Sequence, residues 1–248
     1  MNIFPKTNDM DGLKELALSF LYLDIQETQF TPIVVMHPFT NTGTVGHMIN
    51  GEIKMLNLVE NDDDLNTWHE GMSHLIQEAK KPYEVYFLIN KPYALAFVKY
   101  AQPYLSQKDF SHLLSDAWVK TEMPNSDSNF TTNEFVKLFR VADKTALMED
   151  SELEEYIGLS DKMTIYRGVK SGTPNNIKKL SWTLDYDKAE WFAKRFDENG
   201  LVYEATIKKE NILALFNRRG ESEVIVDPRY LMNITPCEAP SEDIVQSM

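Results

Sequence analysis

Two glutamates one residue apart, where a basic loop enters an apolar run, constrain the end of this chain: Gly220-Glu221-Ser222-Glu223-Val224-Ile225-Val226. The Val-Ile-Val run reads as a strand. Side chains at i and i+2 of a strand point to the same face, so this reading predicts that Glu221 and Glu223 converge on one site. Two carboxylates that close are costly unless a cation visits them. They therefore point to chemistry on a positive centre such as an oxocarbenium ion or a guanidinium. The alternative for each is an ordinary solvated strand glutamate.

Two upstream segments have the form needed to complete such a site. Thr164-Ile165-Tyr166-Arg167-Gly168 reads as a short strand ending in arginine and glycine, and Leu180-Ser181-Trp182-Thr183 sets two hydroxyls around an aromatic ring. Next, Ala189, Phe192, Ala193 and Phe196 recur at i, i+3, i+4 and i+7, which predicts an amphipathic helix capped by Asp185. Gly200 follows, and Leu201 to Ile207 reads as another strand.

In this order, Tyr166-Arg167-Gly168, Ser181-Trp182-Thr183 and Glu221-Ser222-Glu223 resemble the motifs of the mono-ADP-ribosyltransferases of the Arg-Ser-Glu class, which includes cholera-toxin-like, clostridial binary-toxin and phage enzymes. The resemblance covers roughly residues 160 to 235. It implies an α+β fold, with a core of two packed antiparallel sheets behind a helical lobe. It also implies cleavage of NAD at the nicotinamide–ribose bond, with transfer of ADP-ribose to an acceptor.

By resemblance, Glu223 is the catalytic glutamate that stabilises the charge developing on the sugar. Ser181 would hold its rotamer, and its alternative is a turn or cap hydroxyl. Arg167 would contact a phosphate or ribose of NAD through its forked donors, while Gly168 would let the backbone turn or approach the ligand. Thr183 stands where the family often has serine, and Trp182 where threonine is frequent. Phe192 falls where the family can place an aromatic against nicotinamide, but its place on the apolar stripe fits a core role too. Glu221 would orient or deprotonate the acceptor. An acidic residue at its position goes with arginine in the family, which favours protein arginine over nucleic acid. Water as acceptor, giving NAD hydrolysis, is the further alternative. A binding module that keeps the fold without turnover is the reading from another class.

The rest of the chain adds limits. The net charge is −13, with 12 Lys+Arg against 21 Asp+Glu in residues 1–150 and 13 against 17 in residues 151–248, which argues against broad nucleic-acid binding. The single cysteine, Cys237, permits no internal disulfide. The first residues lack a basic segment followed by an apolar run, and no stretch approaches transmembrane length. The expectation is a cytoplasmic protein with no membrane role, acting as a bacterial toxin, defence component or phage protein, with an antitoxin or chaperone as possible partner.

Residues 1–104 read as an α/β module with a helix at 11–22, strands at 32–36, 52–59 and 83–89, and a helix at 65–79. Residues 105–235 form the expected transferase domain, with the helical lobe at 105–160 and the sheet core at 161–235. Residues 236–248 read as a mobile tail. No metal is expected. His69 and His74 are five apart, about 140° around a helix, and cannot share an ion in the i, i+4 manner. Asp62-Asp63-Asp64 reads as a helix start.

Overall fold

The computed structural model describes residues 4–49, 51–173, 176–195 and 199–237. The chain forms two compact units, residues 1–122 and 123–248.

The first unit opens with α1 (Met10–Leu21), which Asp9 caps by accepting from the Gly12 N–H at 3.0 Å. Leu13, Ala17 and Leu21 recur every four residues and form its buried stripe. Two residues each of β1 (Gln26–Glu27) and β2 (Val35–Met36) pair antiparallel, and β3 (Thr44–Ile49) and β4 (Glu52–Asn57) form a hairpin. α2 (Asp62–Glu78) begins with the three aspartates, capped by Asn61. Asp64 is also the hairpin's anchor, accepting from the Asn57 N–H and Lys54 Nζ, each at 3.0 Å.

The strand expected over 83–89 is instead a helix, α3 (Pro82–Tyr86). Pro82 presets the first helical φ, and the Glu84 carboxylate accepts from the N–H groups of Lys80 and Lys81. Val85 and Tyr86 are then buried, and the Tyr86 hydroxyl donates to Asp116 at 2.7 Å. Local capping and tertiary burial override the β-propensity of this aromatic run. The expected strand over 32–36 shrinks to the two residues of β2.

α4 (Ala94–Ala101) and α5 (Gln107–Lys120) complete the unit. α5 packs on α3 and α4, so the boundary expected at 104/105 lies at 122/123, and the helical lobe expected over 105–160 is divided between the units.

The second unit begins with α6 (Thr132–Val141), α7 (Lys144–Leu147) and α8 (Asp150–Gly158). They precede β5 (Lys162–Val169), β6 (Ser181–Thr183), α9 (Tyr186–Lys194), β7 (Leu201–Lys208), β8 (Ile212–Phe216), β9 (Glu223–Val226) and β10 (Met232–Cys237). The strands make one antiparallel sheet in the order β10-β7-β5-β6-β9-β8. The expected two packed sheets are therefore one connected sheet, although its three-stranded halves join at a single register pair, Tyr166 with Thr183. Pro236 and Cys237 pair with Tyr203 and Val202 in β10, so they are not part of a tail. Residues 238–248 and Phe196 lie outside the described residues. All of β8 and β9 is buried, with α6 and α8 packed against β8.

The protein is thus α+β with antiparallel sheets. Among the described residues no helix is long and apolar enough to cross a membrane.

Candidate active site

The site forms where the two halves of the sheet meet. β6 pairs with β9 so that Thr183 lies opposite Glu223 and Ser181 opposite Ile225. Strand alternation therefore puts Ser181, Thr183 and Glu223 on one face. Trp182 goes to the other face, where it is buried and donates its indole N–H to the Lys179 carbonyl at 3.0 Å. Trp182 thus serves the core.

Glu223 is 94% removed from solvent and accepts a hydrogen bond from the Ser181 hydroxyl at 2.5 Å. Arg167 reaches the same strand, with Nη1 donating to the Ser181 carbonyl and Nε to the Asn176 carbonyl at 2.8 Å. Burial pulls the Arg167 guanidinium down to about 10, and the Glu223 charge opposes that fall. Arg167 is therefore still cationic at neutral pH and offsets the desolvation of a buried carboxylate. Leu180, at the entry to β6, donates its N–H to Asn125 Oδ1 at 3.0 Å, which ties the polar loop at 124–129 to this strand.

The structure separates Glu221 from Glu223. β9 starts at Glu223, and Ser222 and Gly220 have φ of 42° and 65°. Glu221 therefore sits in a loop, and strand alternation does not set its direction. Its carboxylate meets Arg219 Nη2 at 2.7 Å. The expected convergence of the two glutamates by strand geometry is corrected accordingly. Gly220, with its left-handed φ, makes the turn that closes from its N–H to the Asn217 carbonyl at 2.8 Å.

Thr183 does not offer a free hydroxyl. Its Oγ1 donates to the Glu221 carbonyl at 2.7 Å and accepts from the Asp185 N–H at 3.0 Å, so it joins the glutamate loop to the start of α9. Asp185 caps that helix as expected. Gly168 is neither a turn nor the end of its strand. A Cβ there would lie 2.1 Å from the Ala189 carbonyl oxygen and 2.5 Å from the Ala193 nitrogen, so the glycine lets β5 and α9 touch backbone to backbone. Ala189 and Ala193 form the buried stripe of α9. Phe192 is exposed and stacks edge-on against Trp191, ring centroids 5.0 Å apart.

One residue of this site was not foreseen. Glu152, 2% exposed in the first turn of α8, accepts from the N–H groups of Asn217 and Arg218 at 2.7 and 3.2 Å and from Arg218 Nε at 3.2 Å. It also closes a capping box on the Glu149 N–H at 2.9 Å. The Glu-x-x-Glu spacing of Glu149 and Glu152 could have signalled the cap. No local pattern signals its reach to a loop 65 residues away. Asn217 Oδ1 in turn accepts from the Ser222 N–H at 3.1 Å, so the loop that carries Glu221 is held from α8, from β6 and from within.

Chemically, the arrangement presents one rigid, buried carboxylate beside a guanidinium, and a second, more exposed carboxylate on a braced loop already paired with a guanidinium. No family model, curated protein or solved structure matches the chain.

Proposed function

We propose that the protein is an NAD-dependent mono-ADP-ribosyltransferase acting on protein arginine. The observation that carries this reading is the Ser181–Glu223 hydrogen bond, made between the two motifs in which the sequence resemblance places the positioning serine and the catalytic glutamate. An antiparallel sheet preceded by helices is compatible with a transferase core of this kind.

In this reaction the bond from nicotinamide nitrogen to the ribose C1′ breaks, nicotinamide leaves with the electron pair, and positive charge develops on the sugar. Glu223 is a fixed anion aimed at charge present only in the transition state, so it lowers the barrier without tightening ground-state binding. Ser181 holds its carboxylate, and Arg167 serves the phosphates or ribose of NAD while bracing β6. Glu221 accepts the proton and orients the acceptor guanidine, whose nitrogen then bonds to C1′. The setting that fits is an intracellular toxin, defence protein or phage protein.

A second reading, transfer to single-stranded nucleic acid, rests on one specific observation. Lys188, Trp191, Phe192 and Arg195 recur at i, i+3, i+4 and i+7 along the exposed face of α9 and its C-cap residue, and Arg195 lies 4.9 Å from the Trp191 ring centroid. Exposed aromatics between cations suit stacked bases and their phosphates.

The test is incubation with labelled NAD and a host lysate, followed by separate protease and nuclease digestion. Label removed by protease supports the arginine reading, and label removed by nuclease alone replaces it with the second. Glu223→Gln should reduce labelling and nicotinamide release together, by on the order of 10³-fold. NAD binding without any nicotinamide release by the native protein would replace both with a binding module.

A further inference from the structure

Among the described residues, one of the six arginines in this chain pairs its guanidinium with the carboxylate that the proposed chemistry gives to the acceptor. Arg219 Nη2 lies 2.7 Å from Glu221 Oε2. The others are engaged elsewhere. Arg140 and Arg229 share the buried Asp227 carboxylate, Arg167 donates to the Asn176 and Ser181 carbonyls, and Arg195 lies over the Trp191 ring. Even Arg218, the immediate neighbour, takes different partners: its Nε meets Glu152 at 3.2 Å and Glu149 at 3.6 Å.

The turn explains why it is Arg219. Gly220 and Ser222 have φ of 65° and 42°, and the Gly220 N–H closes on the Asn217 carbonyl at 2.8 Å. The chain bends between Arg219 and Glu221, and a side chain two residues away reaches the carboxylate. Thr183 ties Glu221 to the site. It lies opposite Glu223 in the register of β6 with β9, and its hydroxyl donates to the Glu221 carbonyl at 2.7 Å. The Arg219 and Glu221 side chains are 35% and 21% exposed, so the pair is open to a ligand. An external arginine has to be captured from solution before its nitrogen meets Glu221. Arg219 is held there by the chain itself, and holding a reactant in place raises its effective concentration by orders of magnitude.

We propose that Arg219 is a self-modification site, an arginine to which the chain transfers ADP-ribose from its own bound NAD. Self-transfer rests on the arginine-transferase reading of Glu221 and Glu223, and gives that reading one named acceptor. The bond from the nicotinamide nitrogen to C1′ breaks, and nicotinamide takes its electron pair. An Arg219 Nη nitrogen forms the new bond to C1′, and the proton it loses passes to Glu221 and then to water. The modified guanidinium keeps one positive charge, so atoms and charge balance with NAD as the only co-reactant. The transfer is intramolecular, because the arginine that Glu221 holds belongs to the same chain.

The experiment incubates the full-length native protein with NAD and no other acceptor, then maps the modified residue by peptide mass spectrometry with electron-transfer fragmentation. The expected result is ADP-ribose on Arg219 and not on Arg218. Arg219→Lys keeps a positive charge beside Glu221 but not the guanidine, so it should lower self-labelling by about tenfold or more while agmatine is still modified. A tagged Glu223→Gln chain mixed with untagged native protein should take little label, because each chain modifies itself. The proposal is overturned if agmatine is modified while Arg219 is not, if the label lies on another residue, or if Arg219→Lys labels itself as strongly as the native chain. It is also overturned if the tagged chain is labelled as heavily as the native one, since Arg219 is then modified by another molecule. Modification of agmatine without Arg219 leaves the arginine-transferase reading standing. No label on either agmatine or the chain ends that reading, and self-transfer with it.

Discussion

Replacing Ser181 by alanine should reduce NAD cleavage without abolishing it, and the loss should vanish in a protein that already lacks Glu223. The Ser181 hydroxyl donates to a carboxylate only 6% exposed, at 2.5 Å. A hydrogen bond to a charged group contributes about 1.5–3 kcal/mol, and each 1.36 kcal/mol is a factor of ten in rate. If the whole contribution is expressed in holding Glu223 for the transition state, Ser181→Ala loses about 10- to 150-fold in kcat, with KM for NAD little changed. Glu223→Gln, which removes the anion itself, should cost on the order of 10³-fold, comparable to deleting a single electrostatic group from other active sites. The double variant should be no slower than Glu223→Gln by more than about twofold, because Ser181 has nothing left to position. Ser181→Thr keeps the hydroxyl and should recover most of the rate. The assay is nicotinamide release at saturating NAD, with each variant's folding checked by thermal melting. Independent, multiplicative losses in the double variant would refute the reasoning, since Ser181 would then act on the substrate directly.

The remaining predictions test the surroundings of that pair. Arg219→Ala should lower KM for a small guanidine acceptor by about 1.5- to 5-fold, because the partly exposed Arg219–Glu221 pair is worth about 0.2–1 kcal/mol and competes with the acceptor; steady-state transfer to agmatine measures it. Glu152→Gln should reduce transfer more than NAD hydrolysis, since it loosens the loop bearing Glu221 while leaving Glu223 on its strand; the ratio of labelled acceptor to free ADP-ribose reads the split. Gly168→Ala should destabilise the fold by about 1–3 kcal/mol or more in a denaturant titration, because the added methyl meets the backbone of α9 and not a flexible side chain. Asp227→Asn tests a buried pairing beside β9. Hydrogen bonds from Arg229, then from Arg140, hold Asp227 at about 2, below its ordinary 3.8. A depressed carboxylate stabilises the fold fully above 3.8 and loses that contribution as pH falls through about 2. The variant should therefore be less stable than the native protein by roughly 1–2 kcal/mol at pH 7, with the gap closing toward pH 2.

What the sequence revealed was mostly what short-range rules govern. Asp185 as a cap, the helix after it and the strand from Leu201 all follow from capping, 3.6-residue periodicity and alternation, and all are present. The misreadings come from local backbone and capping features without a clear sequence signature, and from contacts distant along the chain. The Tyr83 to Ile89 run has strand-forming residues, but Pro82, Glu84 and the Tyr86–Asp116 bond turn it into a helix. Phe192 shares the spacing of an apolar stripe, yet the close approach of β5 at Gly168 leaves room only for the alanines, and the phenylalanine faces out. The positive φ at Ser222 has no signature in a serine, so the exit of Glu221 from the strand was invisible. Glu152 was invisible for the same reason of distance.

The exit of Glu221 changes what the glutamate pair can be. On a continuous strand both carboxylates would be set by one backbone, and any shift of one would move the other. Here Glu223 is fixed by a fully buried strand and the Ser181 hydroxyl, while Glu221 hangs from a turn whose side-chain ties include the Thr183 hydroxyl on its carbonyl, Asn217 on the next N–H, and Glu152 on the loop's first two N–H groups. Each of those ties is made by a side chain and lies outside the backbone ladder of β9. Under the proposed chemistry, the residue facing the sugar cation is thereby rigid and the residue facing the acceptor is adjustable. Rigidity serves a transition state whose charge always develops at the same atom. Adjustability serves an acceptor that differs from target to target, and on the proposed chemistry the Arg219 guanidinium bound to Glu221 holds the place that an acceptor arginine would take. On the proposed function, acceptor choice would therefore be a property of the loop from Asn217 to Ser222 and its anchors, and NAD cleavage a property of the sheet.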